Sequence, residues 1–272
     1  QESTQRFARE GAAGRLFRRV LAPIGIVRRE LVQKELRIFF RDTTQWSQLI
    51  LLAVLVAVYV FNIRYLPLGQ GGISFFLTNV IPFLNIAIAG FVLASIAARF
   101  IFPSVSLEGR TLWLLRSSPI SMQDVLWSKY WVGTVPLLSL AVIIVFVTNV
   151  LLDVSGFMMT VSIFTIVLLT CAIASLALAI GTIFPQFESE NAAQIPTSFG
   201  GLVFMMASVT LVGIVVLLEG RPVYEYLVAQ TFGSSADVGE MIFGFTAAGL
   251  VCLAATLLPL RFAERRLLAG EA

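Results

Sequence analysis

The stretch GFMMTVSIFTIVLLTCAIASLALAIGTI, residues 156–183, contains no Asp, Glu, Lys or Arg, and it lies inside a longer charge-free window, Val154–Phe187. A bilayer core about 30 Å thick is crossed by roughly 20 apolar residues wound as helix. This stretch is long enough for one crossing, and inside lipid the backbone must satisfy its own hydrogen bonds, so helix is the expected form. The alternating segments of about ten residues that would build a transmembrane barrel are absent.

Working outward, five more windows without charge appear: Thr43–Ile63, Tyr65–Ala98, Tyr130–Leu152, Asn191–Leu218 and Met241–Leu260. The chain is 58% hydrophobic and 13% charged, with a mean hydropathy of +0.90. Soluble domains are charged at roughly a quarter of their residues, so too few polar side chains are present here to coat a water-exposed surface. The expected fold is an all-α membrane protein of six transmembrane helices, over about 44–64, 78–102, 130–152, 156–183, 197–218 and 241–260. The domains expected are a basic segment over 1–42, a six-helix membrane domain over 43–262 and a tail over 263–272.

Charge sets the expected orientation. Arg15, Arg18, Arg19, Arg28, Arg29, Lys34, Arg37 and Arg41 crowd the segment before the first window. Arg110, Arg116 and Lys129 lie between the second and third, and Arg261, Arg265 and Arg266 follow the last. The opposite loops hold only Arg64 and Arg221. By the positive-inside rule both termini are cytoplasmic. The loop around Glu188 and Glu190 has no basic residue, and its side follows from the span count.

Leu16, Phe17, Val20, Leu21 and Ile24 recur at roughly helical spacing between arginines, so residues 15–41 read as one or two amphipathic helices lying in the interface. A solvated basic linker is the other reading. Ser121 and Asp124 have capping-box spacing, which starts a helix at Met122 that runs into the third span. The turn around Asp153–Gly156 is so short that the third and fourth spans must be antiparallel neighbours. Glu219–Glu240, with Pro222, Tyr224 and Tyr226, reads as an outer segment of short helices.

The chain contains no His. Ser–His and Cys–His nucleophile pairs and the HExxH zinc site are therefore excluded. Asp42, Asp124, Asp153 and Asp237 all fall outside mid-span positions, which argues against an intramembrane aspartyl protease. No GxxxxGK[ST] phosphate loop is present. Asn62, Asn79, Asn85, Ser95, Asn149, Ser162, Ser175 and Ser208 are the spans' polar residues, expected to bond between helices. Cys171 and Cys252 read as small core residues. Without a nucleophile pair, a zinc site or a phosphate loop the chain is not expected to be an enzyme, and a transporter with neither an ion relay nor an ATP site needs its energy from elsewhere. Leu107–Arg116, where Trp113, Leu114 and Leu115 stand among Glu108, Arg110 and Arg116, reads either as a docking helix for a partner or as an interfacial helix against lipid.

The run Lys34-Glu-Leu-Arg-Ile-Phe-Phe-Arg-Asp42 before a span, and the run Phe102-Pro-Ser-Val-Ser-Leu-Glu-Gly-Arg110 continued by Trp113-Leu-Leu-Arg-Ser-Ser-Pro-Ile-Ser121, resemble the membrane subunits of ABC exporters. Phe184-Pro-Gln-Phe-Glu-Ser-Glu-Asn191 is similar to their second cytoplasmic loop. The likeness covers roughly residues 30–262. It implies a permease of the plasma membrane that pairs with a second six-span unit, either a second copy or the other half of a longer chain. It implies an interfacial connecting helix carrying Arg28, Arg29, Lys34, Arg37 and Arg41. It implies an ATPase-coupling loop of Leu107, Glu108, Gly109, Arg110, Trp113, Leu115 and Arg116, and a smaller contact at Gln186, Glu188 and Glu190. The partners implied are ABC ATPase subunits, which bind ATP and magnesium, and membrane lipid. No cofactor, metal or nucleic acid is expected on this chain. A membrane scaffold without transport is the alternative from another class.

Overall fold

The computed structural model describes residues 25–41, 50, 53–54, 56–62, 74–111, 117, 120–187, 194–232 and 238–269. Most of the expected first span lies outside the described residues, although 56–62 are helical. The described elements are α1 (Ile26–Arg41), α2 (Ser74–Phe100), 3₁₀ turns at Phe102–Ser104 and Ser106–Thr111, α3 (Met122–Leu151), α4 (Gly156–Ile183), a 3₁₀ turn at Ile195–Thr197, α5 (Phe199–Phe232) and α6 (Val238–Ala269). Among the described residues no strand occurs. Five helices, α2 to α6, are long and apolar enough to cross a membrane, with α2 counted together with the turns that follow it. The chain is thus a helical membrane protein.

Local chemistry explains the best-defined boundaries. Ser121 caps α3 by accepting a hydrogen bond from the Asp124 amide, which satisfies one of the first turn's unpaired donors. Ser155 does the same for α4 through Met158. Between them the chain reverses within Leu152–Ser155, and Asp153 takes a φ of 51°. That left-handed conformation is one that aspartate tolerates better than most residues. The tight reversal lays α4 antiparallel to α3, as the sequence requires.

α4 forms the centre. It packs against α2, α3, α5 and α6, and 67% of its most apolar window is buried against 17% for α6. Ala172, Ile173, Ala174 and Ala177 are sealed from solvent on it. The three alanines are small, which lets neighbouring backbones approach where lipid offers no hydrophobic drive for association.

Two expected boundaries are corrected. Glu219–Glu240 does not fold as separate outer helices, because α5 continues through Pro222 to Phe232. The last helix also runs past its expected end at 260, because α6 continues through Pro259 to Ala269. A proline inside a membrane helix is tolerated when a neighbour fits the site it disturbs. A Cβ at Gly244 would meet the Pro222 ring at 2.6 Å and the Leu218 carbonyl oxygen at 2.9 Å, so α6 closes on that point through a bare backbone.

The polar residues of the spans divide their work. Asn85 donates to Thr148 Oγ1 at 2.9 Å across α2 and α3, and accepts from the Tyr59 hydroxyl. Ser175 donates to the Thr256 carbonyl across α4 and α6. Asn62, Ser95 and Ser162 instead bond back to carbonyls of their own helices, against the expectation of a bridge from each. Cys171 and Cys252 are free thiols within the bundle.

Candidate functional site

One end of the bundle gathers the end of α2, the start of α3, the end of α4 and the start of α5. The chain leaves α2 through a wedge in which Phe102 is buried and stacks on Phe204 of α5 at 6.0 Å between ring centres. Pro103 at the head of the following 3₁₀ turn is buried as well. From this wedge the chain runs to Glu108.

Glu108 and Lys129 are the centre of the site. The Lys129 side chain is 3% exposed and that of Glu108 6%. Lys129 Nζ donates to Glu108 Oε1 at 2.7 Å, to Glu35 Oε1 at 3.0 Å and to the Ser104 carbonyl at 2.9 Å. An ammonium has three protons to give, and these three acceptors take all of them. Lys34 of α1 reaches both Glu108 oxygens, at 2.8 and 2.9 Å. Two lysines and two glutamates from α1, the loop after α2 and the first turns of α3 therefore form one alternating cluster. Burial pushes the Glu35 carboxyl above the usual carboxylate range; Lys129 opposes that shift and Glu108 reinforces it.

A second clasp lies nearer the start of both α1 and α3. Arg28 of α1 pairs with Asp124, and its guanidinium stands 4.9 Å from the centre of the Trp127 ring, a cation–π geometry. Leu31 and Val32 of the same helix are buried. α1 is thus held on the bundle by apolar contact and by two charged clasps.

The loop after α4 joins the same end. The Gln186 amide donates to Ser106 Oγ at 3.0 Å. Gly109 takes φ 49° and ψ −128°, a conformation open to glycine and costly to other residues. Of the expected short helix over Leu107–Arg116, the described part, as far as Thr111, is a 3₁₀ turn that breaks at Gly109, and 112–116 lie outside the described residues. A Cβ at Gly109 would stand 3.8 Å from the Phe187 carbonyl, so both loops meet there.

The structure distributes the expected site residues unevenly. Leu107 points outward at 43% exposed while Glu108 beside it is buried at 7%. Two lysines hold the Glu108 carboxylate inward, as an anchor inside the bundle end. Lys34 joins the same cluster. Arg28 joins the outer clasp, Arg29 pairs with Glu30 at 3.4 Å, and Arg37 and Gln186 are exposed. Arg110 and Arg41 are described in backbone only. Trp113, Leu115, Arg116, Glu188 and Glu190 lie outside the described residues. Glu35 and Asp124 were not expected at the site. Their signals, an acid beside Lys34 and a helix cap, are local and carry no information about distant partners. Among the described residues no group of three His, Cys, Asp or Glu could hold a metal ion.

A family model described as "Putative ATP-binding cassette" matches residues 1–271. No curated protein matches the chain, and no solved structure matches it.

Proposed function

The chain belongs to that ATP-binding cassette family, and from this premise we propose that it is the membrane-spanning permease unit of an ATP-driven exporter. In this reading six helices cross the plasma membrane with both termini in the cytoplasm. A second six-span unit completes the path, and separate ATPase subunits supply the energy. The end of the bundle that carries the charged cluster faces those ATPases. Nucleotide is then a ligand of the partner, and ATP binding there shifts the two membrane units between states.

The observation that carries the reading is the Lys34–Glu35–Glu108–Lys129 cluster. It makes α1, the loop after α2 and the start of α3 one mechanical piece, while Leu107 stays exposed at its tip. A loop that passes a push from a partner into the membrane helices needs such a rigid root and an apolar tip. The second loop, bonded to it through Gln186 and Ser106, broadens that surface.

The test is purification of the chain from its native membrane in mild detergent, with ATPase activity measured on the eluate. An ATPase is expected to co-purify, and Leu107→Asp and Trp113→Ala are expected to lower its recovery while the chain stays monodisperse. A pure chain without any ATPase would overturn the exporter reading and leave a membrane scaffold.

A further inference from the structure

Far from the charged cluster, α5 carries a carboxylate into the apolar bundle. Glu219 is 4% exposed and lies within Phe199–Ala229, a segment apolar enough to cross the membrane. Thr165 of α4 is its hydrogen-bond partner, with Oγ1 at 2.8 and 2.9 Å from the two carboxylate oxygens. A hydroxyl has one proton, so it serves one of those oxygens at a time, and a carboxylate has about four acceptor positions. Among the described residues no Lys or Arg pairs with Glu219. A buried charge left in that state is costly, and intramembrane acids of this kind mark ligand or ion paths.

The carboxylate lines a cavity of about 150 Å³ between α4, α5 and α6. Phe164, Leu168, Phe245 and Ala248 form its apolar wall. Phe164 is 64% exposed on the outer face of the bundle, so the mouth of the cavity opens where lipid chains lie. We propose that this cavity binds the ammonium head of a cationic amphiphile, with Glu219 as counter-ion, the Phe164 and Phe245 rings as its apolar and cation-accepting wall, and the alkyl tail left in the bilayer.

Three features select that class. A hydrated metal ion needs about six oxygen ligands, and this wall offers Glu219, Thr165 and Thr160 against otherwise apolar side chains. An ammonium bearing carbon chains suits an aromatic and apolar wall, where desolvated cation–π contacts are strongest. The volume falls below the roughly 300–1,000 Å³ of pockets that enclose a whole drug-sized ligand, so it fits a head group whose tail remains outside. The proposal does not depend on the exporter reading, since binding needs no ATPase.

The test uses the full chain purified in dodecyl maltoside micelles at neutral pH. Tritiated dodecylamine, protonated at that pH, is titrated in a binding assay, and dodecanol serves as the uncharged probe in a thermal unfolding assay. The wild type is expected to bind dodecylammonium saturably, one per chain, and to gain thermal stability from it but none from dodecanol. Glu219→Gln is expected to weaken binding roughly tenfold or more, the loss of one charge-assisted contact. Ala248→Phe keeps the carboxylate and fills the cavity, and is expected to abolish binding even if Glu219→Gln folds poorly. Equal binding by wild type and both variants, or uptake that never saturates, would overturn the proposal. So would a wild type that ignores the amine yet shows a pH-dependent stability removed by Glu219→Gln, which would make the site one for a proton alone.

Discussion

Gly181 lies so close under Phe102 that a Cβ added to it would stand 2.2 Å from the Phe102 carbonyl oxygen. The atom it would strike is backbone, in the wedge that leads to Glu108, and cannot rotate away. Gly181→Ala is therefore expected to cost about 1–3 kcal/mol, read as a lowered midpoint of thermal unfolding in detergent. Gly156→Ala, where a Cβ meets nothing within 4 Å, should be neutral or slightly stabilising by helix propensity. Equal stability of both variants would show that the wedge is not rigid.

Lys129→Ala removes the buried ammonium between Glu35 and Glu108 and leaves them the half-exposed Lys34. Removing one partner of a buried pair costs about 3–5 kcal/mol, and a loss of that order is expected in chemical unfolding. Lys34→Ala should cost much less, because its side chain is 36% exposed and water replaces the partner. Glu108→Arg is expected to disrupt folding by setting three cations together. A normally folded Glu108→Arg protein would contradict the buried position of that carboxylate.

Glu35 behaves differently from Glu108. Its carboxyl is raised by burial, so the folded state holds the proton more tightly than the unfolded chain. The stabilisation this gives is full below the unfolded value of about 4.3, and is lost as pH rises through the raised folded value. Glu35→Gln should therefore match or exceed the wild type in stability at neutral pH, and lose that advantage in acid. A variant clearly weaker than wild type at neutral pH would mean that the Lys129 pair outweighs burial.

Asn85→Leu removes the donor to Thr148 and the acceptor for Tyr59. Interhelical hydrogen bonds in membranes are worth about 0.6–2 kcal/mol, and a loss within that range is expected by unfolding in detergent. No loss would mean that Tyr59 and Thr148 find other partners within the bundle.

Much of the architecture is legible because its causes are local. Ser121 and Asp124 announce the start of α3 by their spacing, and Asp153–Gly156 fixes the α3–α4 reversal by its brevity. The far ends of α5 and α6 were hidden by charge. Glu219, Arg221, Glu225 and Glu240 read as part of an outer segment of short helices, whereas α5 runs on to Phe232 and Arg221 pairs at the surface with Glu225 at 3.2 Å and Glu240 at 2.9 Å. Glu219 itself turns into the bundle, where only the third dimension supplies Thr165. The charged cluster was hidden for the same reason. The run around Glu108 drew notice through its composition, but nothing in it tells that Lys34 and Lys129 arrive from either side and turn it inward.

The cluster also imposes an order on the making of the protein. Glu108 follows Lys34 by 74 positions, and Lys129 follows Glu35 by 94. α1 therefore leaves the ribosome well before the residues that will hold it. During that interval Glu35 is best kept in water, with the helix at the surface of the nascent bundle. Only when the first turns of α3 have been synthesised can the four charges close, so the clasp on α1 is fastened from a helix made after it, and its closing reports that α2 and α3 already stand in place.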